Sequence, residues 1–218
     1  MGSGQRTGKD PILAMMSKVS LKYRIKLVIA FSLFFAFTYG FTNRFPMFPL
    51  HYLPLTSVDL FFGFHEWTIW IYISDFVFIP LAYILVREPE DYSPMLYAML
   101  IDLIVTCLIF IAYPTFIYRQ PLSHAGDDWL RSVLYSIDSP SNCFPSLHVS
   151  LAIITALFVC KHNKQWGIVA ALWAILIMIS TMTIKQHYFV DVIGGVILAV
   201  ISVAITTFAL RRSAQCVI

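Results

Sequence analysis

Two short polar segments interrupt long apolar runs and carry residues of the kind that perform covalent catalysis. The segment "FPSLHVS" contains His148, and the segment "IKQHYFVD" contains His187 and Asp191. Asp191 follows His187 by four residues, or one helical turn, so its carboxylate could hydrogen-bond one imidazole nitrogen. The other nitrogen would then be free to attack, and His148 could donate a proton to the leaving group. This set predicts a histidine nucleophile with a separate histidine acid.

A group of cationic and hydroxyl side chains accompanies the histidines and could hold an anion. The segment "YPTFIYRQP" contributes Arg119, Ser146 precedes an apolar run, and Lys185 lies two residues before His187. A guanidinium fork, a hydroxyl and the free amides at a helix start all favour a phosphate, and hence phosphoryl transfer. Each has an ordinary alternative, since Arg119 could be an interfacial anchor and His148 an interfacial polar group.

The amino-acid composition indicates that membrane helices carry and position these residues. The chain has 218 residues, of which 59% are hydrophobic and 12% charged, whereas a soluble chain has about 25% charged residues. We therefore predict an all-α, polytopic membrane protein that forms a single domain over residues 1–218. Continuous apolar runs predict six transmembrane helices, at about 25–42, 67–86, 95–117, 147–160, 166–184 and 188–210.

The basic residues are distributed unequally between the two ends of this predicted bundle. One face would hold 11 Lys and Arg residues, including those of an N-terminal arm over residues 1–24, and the opposite face would hold four. The positive-inside rule then places both termini in the cytoplasm and the long connections 43–66 and 118–146 on the other side. The net charge of +3 reflects this topology, so we expect no nucleic-acid partner.

Other residues inside the predicted spans have two open interpretations. Asp75 and Asp102 are charges at membrane depth, and they could line a headgroup cavity or make interhelical hydrogen bonds that fix packing. The four cysteines show no metal-binding spacing and are expected to be small buried side chains. We expect no metal and no cofactor.

The order Arg, Pro-Ser-x-His, His-x-x-x-Asp on one face of a six-span protein resembles the type 2 phosphatidic acid phosphatase superfamily of membrane lipid phosphatases and phosphotransferases, with its haloperoxidase-like helical bundle. The resemblance implies that His187 forms a phosphohistidine, that Asp191 orients His187, and that His148 protonates the departing oxygen. It also implies that Arg119 and Ser146 bind the phosphate, without a metal.

The chain departs from the family pattern at two expected cations. No lysine precedes Arg119, where Tyr113 and Tyr118 are the nearest polar groups and candidate headgroup contacts, and Ser180-Thr181 stands where the family has Ser-Arg. Lys185 is a candidate replacement. The strings "KQHYFVDVIGG" and "YRQP" are similar to the inositol phosphorylceramide synthase branch and, more loosely, to sphingomyelin synthases.

Two reactions are therefore expected about equally. One is hydrolysis of a lipid phosphate; the other is transfer to an alcohol such as inositol or a ceramide, where a phosphodiester would need fewer cations. The expected location is a bacterial inner membrane with the site facing the periplasm, or an organelle membrane with the site facing the lumen. A transporter or lipid-binding module, with the aspartates as a relay, is the remote alternative.

Overall fold

The computed structural model describes residues 20–119, 121 and 129–215, and it is predominantly helical. Most of the predicted N-terminal arm, Cys216 and part of the second long connection lie outside these residues. The described α-helices are α1 Leu21–Arg44, α2 Ser57–Phe61, α3 Ile69–Ile73, α4 Asp75–Leu85, α5 Pro89–Ala112, α6 Trp129–Ile137, α7 Leu147–His162, α8 Lys164–Thr183 and α9 Phe189–Gln215.

Five segments of the described chain are long and apolar enough to cross a bilayer. They are α1, the stretch Glu66–Leu85 (a 3₁₀ turn followed by α3 and α4), and most of α5, α8 and α9. The prediction of six spans is thus met only in part. The remaining predicted span coincides with α7, which has 16 residues. At about 1.5 Å per residue α7 is roughly 24 Å long, less than the ~30 Å hydrocarbon core.

Proline and asparagine side chains set several helix ends. α5 begins at Pro89, six residues before the predicted start, because proline is favoured in the first helical turn. It ends at Ala112, before Pro114, which cannot continue the helix. Asn163 follows α7 and caps α8 by accepting hydrogen bonds from two amides of its first turn, at 3.0 and 3.1 Å.

Helix α7 lies at the centre of the bundle and packs against α4, α5, α8 and α9. The buried Asp102 of α5 accepts hydrogen bonds from Ser150 of α7 at 2.5 Å and from Ser202 of α9 at 3.5 Å. These bonds link three helices within the apolar core. The interpretation of Asp102 as an interhelical packing residue is therefore the one that the geometry favours.

The connections at one end of the bundle form a small network of backbone hydrogen bonds. Residues 51–52 form strand β1 (His51–Tyr52), which pairs in parallel with β2 (Thr115–Phe116). Phe116 also forms an antiparallel bridge with Ser141. This two-residue strand pair is a departure from the predicted all-α fold, and it brings both long connections to the same place.

Two adjacent glycines bring α9 close to the start of α7. A Cβ atom on Gly195 would lie 2.5 Å from the carbonyl oxygen of Ser146, and one on Gly194 would lie 2.5 Å from the ring of Phe144. Only glycine permits this approach without displacing backbone. The two glycines therefore set the distance between the helix that begins after His187 and the helix that carries His148.

Candidate active site

His187 lies in the tight turn between α8 and α9, and the backbone of the turn fixes its position. Lys185 adopts a left-handed conformation with φ of 56°, and the His187 amide donates to the carbonyl of Thr181 at 3.1 Å. The imidazole Nδ1 lies 3.0 Å from the carbonyl oxygen of Cys143. Because a carbonyl only accepts hydrogen bonds, Nδ1 carries the proton in this assignment, and the lone pair is on Nε2.

Asp191 is adjacent to His187, but it is not the nearest partner of the imidazole. Its Oδ2 lies 3.5 Å from His187 Nδ1 and accepts a shorter hydrogen bond from the Tyr188 amide at 2.8 Å. The expected carboxylate–imidazole hydrogen bond is thus replaced in this structure by the Cys143 carbonyl, because Asp191 caps the start of α9. Its fully buried charge still lies beside the imidazole.

His148, the second residue of α7, makes a hydrogen bond at each ring nitrogen. Its Nδ1 lies 2.9 Å from Oδ2 of Asp75, and its Nε2 lies 2.6 Å from the hydroxyl of Tyr72. The centroids of the His148 and His187 rings are 6.0 Å apart. The structure therefore brings the two predicted histidines together. It also shows that Asp75, for which the sequence left two interpretations open, is a hydrogen-bond partner of His148.

Arg119 lies at the same end of the bundle, but acceptors of the protein surround its guanidinium. Its nitrogens donate to the Asp138 carboxylate at 2.6 Å, to the Gln186 side-chain oxygen at 2.6 Å and to the Ser139 carbonyl at 3.2 Å. Asp138 also accepts from the Tyr39 hydroxyl at 2.7 Å. A phosphate bound by Arg119 would therefore share the guanidinium with Asp138.

Ser146 is fully buried and acts as the N-cap of α7. Its hydroxyl accepts a hydrogen bond from the Val149 amide at 3.4 Å, and its own amide donates to the Asp191 carbonyl at 3.0 Å. As the N-cap, the serine fixes the start of the helix and thereby positions His148, while its O–H group can still donate a hydrogen bond. Phosphate binding by this hydroxyl remains a prediction.

Lys185 is directed towards the first long connection. Its ammonium donates hydrogen bonds to the main-chain carbonyls of Asp59 and Phe62. Partial burial lowers the pKa of Lys185, and the nearby Asp59 carboxylate opposes this effect. Oδ1 of Asp59 accepts from the Phe189 amide at 2.6 Å. These bonds hold α2 and the residues after it against the turn that carries His187, so the Lys185 charge is already engaged by the protein.

The other predicted residues do not join the histidine pair. Tyr113 stacks on His51 with ring centroids 4.0 Å apart, and Tyr118 is 67% exposed and lies against Tyr52. Asp102 bonds to hydroxyls in the bundle core, as described above. These three residues therefore have structural contacts of their own, and a headgroup role for them stays a prediction.

A thiol near the site is protonated under ordinary conditions. Burial, with the Asp191 carboxylate nearby, raises the pKa of the Cys143 thiol well above its usual value. A thiol is a much weaker nucleophile than a thiolate, so this pKa shift disfavours Cys143 as a nucleophile. Within residues 20–119, 121 and 129–215, no group of three or more His, Cys, Asp or Glu is arranged to hold a metal ion.

Comparison with known proteins identifies the family. The sequence model of the PAP2 superfamily matches residues 62–205, which are 144 of the 218 residues. The chain belongs to the PAP2 superfamily. The matched range begins in the first long connection and includes both histidines, so the resemblance inferred from the motifs is confirmed.

One curated relative matches a shorter part of the chain. A stretch of 56 residues, 26% of the chain, is 41% identical to inositol phosphorylceramide synthase of Candida albicans and covers 12% of that protein. The chain thus matches about an eighth of this relative's length. No solved structure shows a significant match to the chain. With its apolar helices, the PAP2 membership makes this an integral membrane protein of a lipid phosphatase and phosphotransferase family.

Four site contacts were missed by sequence reasoning. Tyr72, Asp138 and Gln186 were not predicted, and neither was the role of the Cys143 carbonyl. Gln186 could have been considered because it precedes His187 directly. Asp138 follows Arg119 by 19 residues in a polar connection, and no local spacing signals that the two side chains meet.

Proposed function

We propose that this PAP2 protein transfers a phosphoryl group from a membrane lipid through a covalent intermediate on His187. The observation that supports this most directly is the pair of neighbouring imidazoles, arranged edge to face with ring centroids 6.0 Å apart and with an acceptor at each Nδ1. A phosphorus atom between the two rings could be attacked from one side while its leaving oxygen is protonated from the other.

In the first step, the lone pair of His187 Nε2 forms the bond to phosphorus. The bond between phosphorus and the ester oxygen breaks, and the departing oxygen takes the Nε2 proton of a protonated His148. The Asp75 carboxylate, 2.9 Å from Nδ1, stabilises the charged imidazole before the transfer. The products are phosphohistidine and a lipid alcohol, and no electron is gained or lost.

In the second step, the neutral His148 accepts a proton from an incoming hydroxyl group. The hydroxyl oxygen bonds to phosphorus, the bond to His187 Nε2 breaks, and both histidines return to their starting states. Water would complete a phosphatase reaction, and an alcohol would complete a headgroup transfer. The Tyr72 hydroxyl lies 2.6 Å from His148 Nε2. The substrate oxygen that exchanges a proton with His148 would have to take the position that this hydroxyl now holds.

Transfer to an alcohol such as inositol or a ceramide is the second candidate. The guanidinium of Arg119 is paired with Asp138, and Lys185 is bound to carbonyls, so little positive charge remains for a dianionic phosphomonoester. A phosphodiester carries a single negative charge and would fit this balance better. The Candida albicans relative, an inositol phosphorylceramide synthase, is named for the same class of reaction.

The test uses the purified full chain in lipid nanodiscs. Radiolabelled phosphatidic acid and phosphatidylinositol are supplied separately, each with and without ceramide and inositol, and free phosphate, inositol phosphate and new phospholipid are separated. Inorganic phosphate from phosphatidic acid would indicate the hydrolase. A new phosphodiester lipid that appears only with an acceptor would indicate the transferase.

The His187→Ala variant should lose activity by about 10⁴-fold, and His148→Ala by about 10²- to 10⁴-fold. His162→Ala is the matched control, because His162 lies on α7, 14 residues from His148 and about 21 Å along the helix. Full activity in His187→Ala would contradict the proposal. Gradient-dependent flux of a solute with no phosphoester turnover would favour the transporter interpretation instead.

A further inference from the structure

A cavity leads from His148 and Asp75 into the apolar part of the bundle. It has a volume of about 230 Å³ and lies between α1, α4 and α7. Its wall is almost entirely apolar, with Phe31, Phe35 and Ile79 among its residues, and its polar end is formed by His148 and Asp75. The cavity therefore joins an apolar channel to the proposed acid.

The cavity runs along the helix axes. Its residues on α1 extend from Val28 to Ala36, and those on α4 extend from Asp75 to Tyr83. In each helix the two end residues are eight positions apart, or about 12 Å along the helix axis. Both helices belong to segments that are apolar enough to span a bilayer, so the cavity has the direction of the hydrocarbon chains around it.

The loose packing of α1 keeps the cavity open to lipid. Ser32 and Ala36 line the cavity and are exposed, whereas Tyr83 at the far end is fully buried. Pro80, which lacks an amide hydrogen, interrupts the hydrogen-bond ladder of α4 at the wall of the cavity. A chain could thus enter sideways from the bilayer without crossing water.

We propose that this cavity holds one hydrocarbon chain of the lipid whose ester oxygen is protonated by His148. This assignment rests on the proposed function, which makes His148 the acid. It adds where the phosphate and the leaving group of the substrate lie relative to the two histidines. The phosphate would lie between the histidines, and the diacylglycerol leaving group would extend from His148 along α1 and α4. After the lipid alcohol departs, water or the incoming alcohol would take its place on the His148 side, opposite the bond between phosphorus and His187.

Binding is tested without turnover in the full-length His187→Ala protein in nanodiscs. Phosphatidic acid and phosphatidylinositol, each with a photoactivatable diazirine in one acyl chain, are irradiated, and the labelled peptides are identified by mass spectrometry. Phosphatidylcholine with the same chain reports ordinary contact with bulk lipid. We expect labelling of residues 28–36 and 79–83 by at least one of the first two lipids, several-fold above phosphatidylcholine.

Two substitutions fill the cavity and one serves as a control. Ala36→Phe and Ser32→Leu should each reduce this labelling by about fivefold or more, since each displaces methylene groups from an apolar site. Leu33→Phe changes a lipid-facing position of α1 that is 66% exposed and should leave the labelling unchanged. In the active chain, Ala36→Phe should raise KM for the long-chain lipid about tenfold relative to its dihexanoyl analogue.

The outcomes separate this proposal from the proposed function. Three results would contradict the proposed hydrocarbon-chain site and leave the histidine chemistry intact. They are no labelling by either lipid, equal labelling by phosphatidylcholine, and labelling that neither substitution reduces. Specific labelling in a protein that turns over no phosphoester would support the chain site and contradict the proposed function. Because photolabelling needs no catalysis, one result does not depend on the other.

Discussion

At the scale of residues, the site consists of two histidines that are oriented by different kinds of acceptor. His187 faces a main-chain carbonyl with a carboxylate further away, whereas His148 is bound directly by the Asp75 carboxylate. Both acceptors fix the orientation of their ring, and the carboxylate is bonded directly only to His148. This difference matches the proposed roles of acid for His148 and nucleophile for His187.

Asp75 is predicted to be a positioning residue that acts through His148. Asp75→Asn should lower kcat by about 10- to 100-fold, with a much smaller change in KM, because the amide does not carry the charge that stabilises the imidazolium. Asp75→Glu should recover part of kcat. Steady-state kinetics on whichever lipid the nanodisc assay shows to be turned over give both parameters.

Asp102→Asn is the control, since Asp102 is also a buried carboxylate in the bundle but bonds to hydroxyl groups. It should retain kcat close to the native value, although its thermal stability can fall. Equal losses of kcat in the two variants would indicate that Asp75 acts only through the stability of the bundle, and would remove it from the catalytic scheme.

At the scale of elements, the geometry of the site depends on the contact between α7 and α9. His148 is carried by the first turn of α7, and His187 lies just before α9, so any separation of these helices changes the distance between the rings. Gly195 permits the closest backbone approach, and the first connection is held over the same turn by Lys185 and Asp59.

Gly195→Ala is predicted to damage both stability and activity. The added Cβ would meet the Ser146 carbonyl oxygen at 2.5 Å, and backbone must move to relieve that contact. We expect a loss of about 1–3 kcal/mol in the free energy of unfolding, and a fall in activity as the histidines separate. Thermal unfolding in detergent and the lipid assay measure the two effects.

Gly40→Ala is the matched control, because an added Cβ at Gly40 in α1 has no neighbour within 4 Å. It should be neutral or stabilise the protein by up to about 1 kcal/mol, the ordinary gain for alanine over glycine in a helix. If Gly195→Ala behaved in the same way, close packing of α9 on α7 would not be required.

At the scale of the whole molecule, the site and most basic residues lie at opposite ends of the bundle. Arg24 donates to the carbonyl of Ile84 at 2.7 Å, and Lys161 pairs with Asp91 at 2.8 Å, so the N-terminus of α1, the start of α5 and the end of α7 share the basic end. The positive-inside rule predicts that this end is cytoplasmic and that the histidines face the periplasm or a lumen.

A cysteine-accessibility experiment tests this orientation. Leu60, which is 73% exposed in α2 at the site end, is replaced by cysteine in a chain without its native cysteines. A second chain retains only the exposed Cys160 at the end of α7. A membrane-impermeant maleimide added to intact cells should label the first chain, and it should label the second only after permeabilisation. The reverse pattern would place the site in the cytoplasm.

The amino-acid sequence by itself determined the class of the protein and the identity of the two histidines. Apolar runs, charge asymmetry and the spacing of His187 and Asp191 are local properties, so they can be read without knowledge of packing. The matched PAP2 family confirms the class, and the structure brings His148 to His187. The count of six spans is confirmed only in part, because α7 has 16 residues and is shorter than the five described segments that are long and apolar enough to cross a bilayer.

Tertiary structure alone decided which groups serve each histidine. Asp75 lies 73 residues before His148, and Cys143 lies 44 residues before His187, so neither partner follows a helical or strand period. The pairing of Arg119 with Asp138 and the engagement of Lys185 by carbonyls also depend on how the connections fold over the bundle end. Side-chain type shows what a residue can bind, but the packing of distant helices determines which acceptor is within hydrogen-bonding distance.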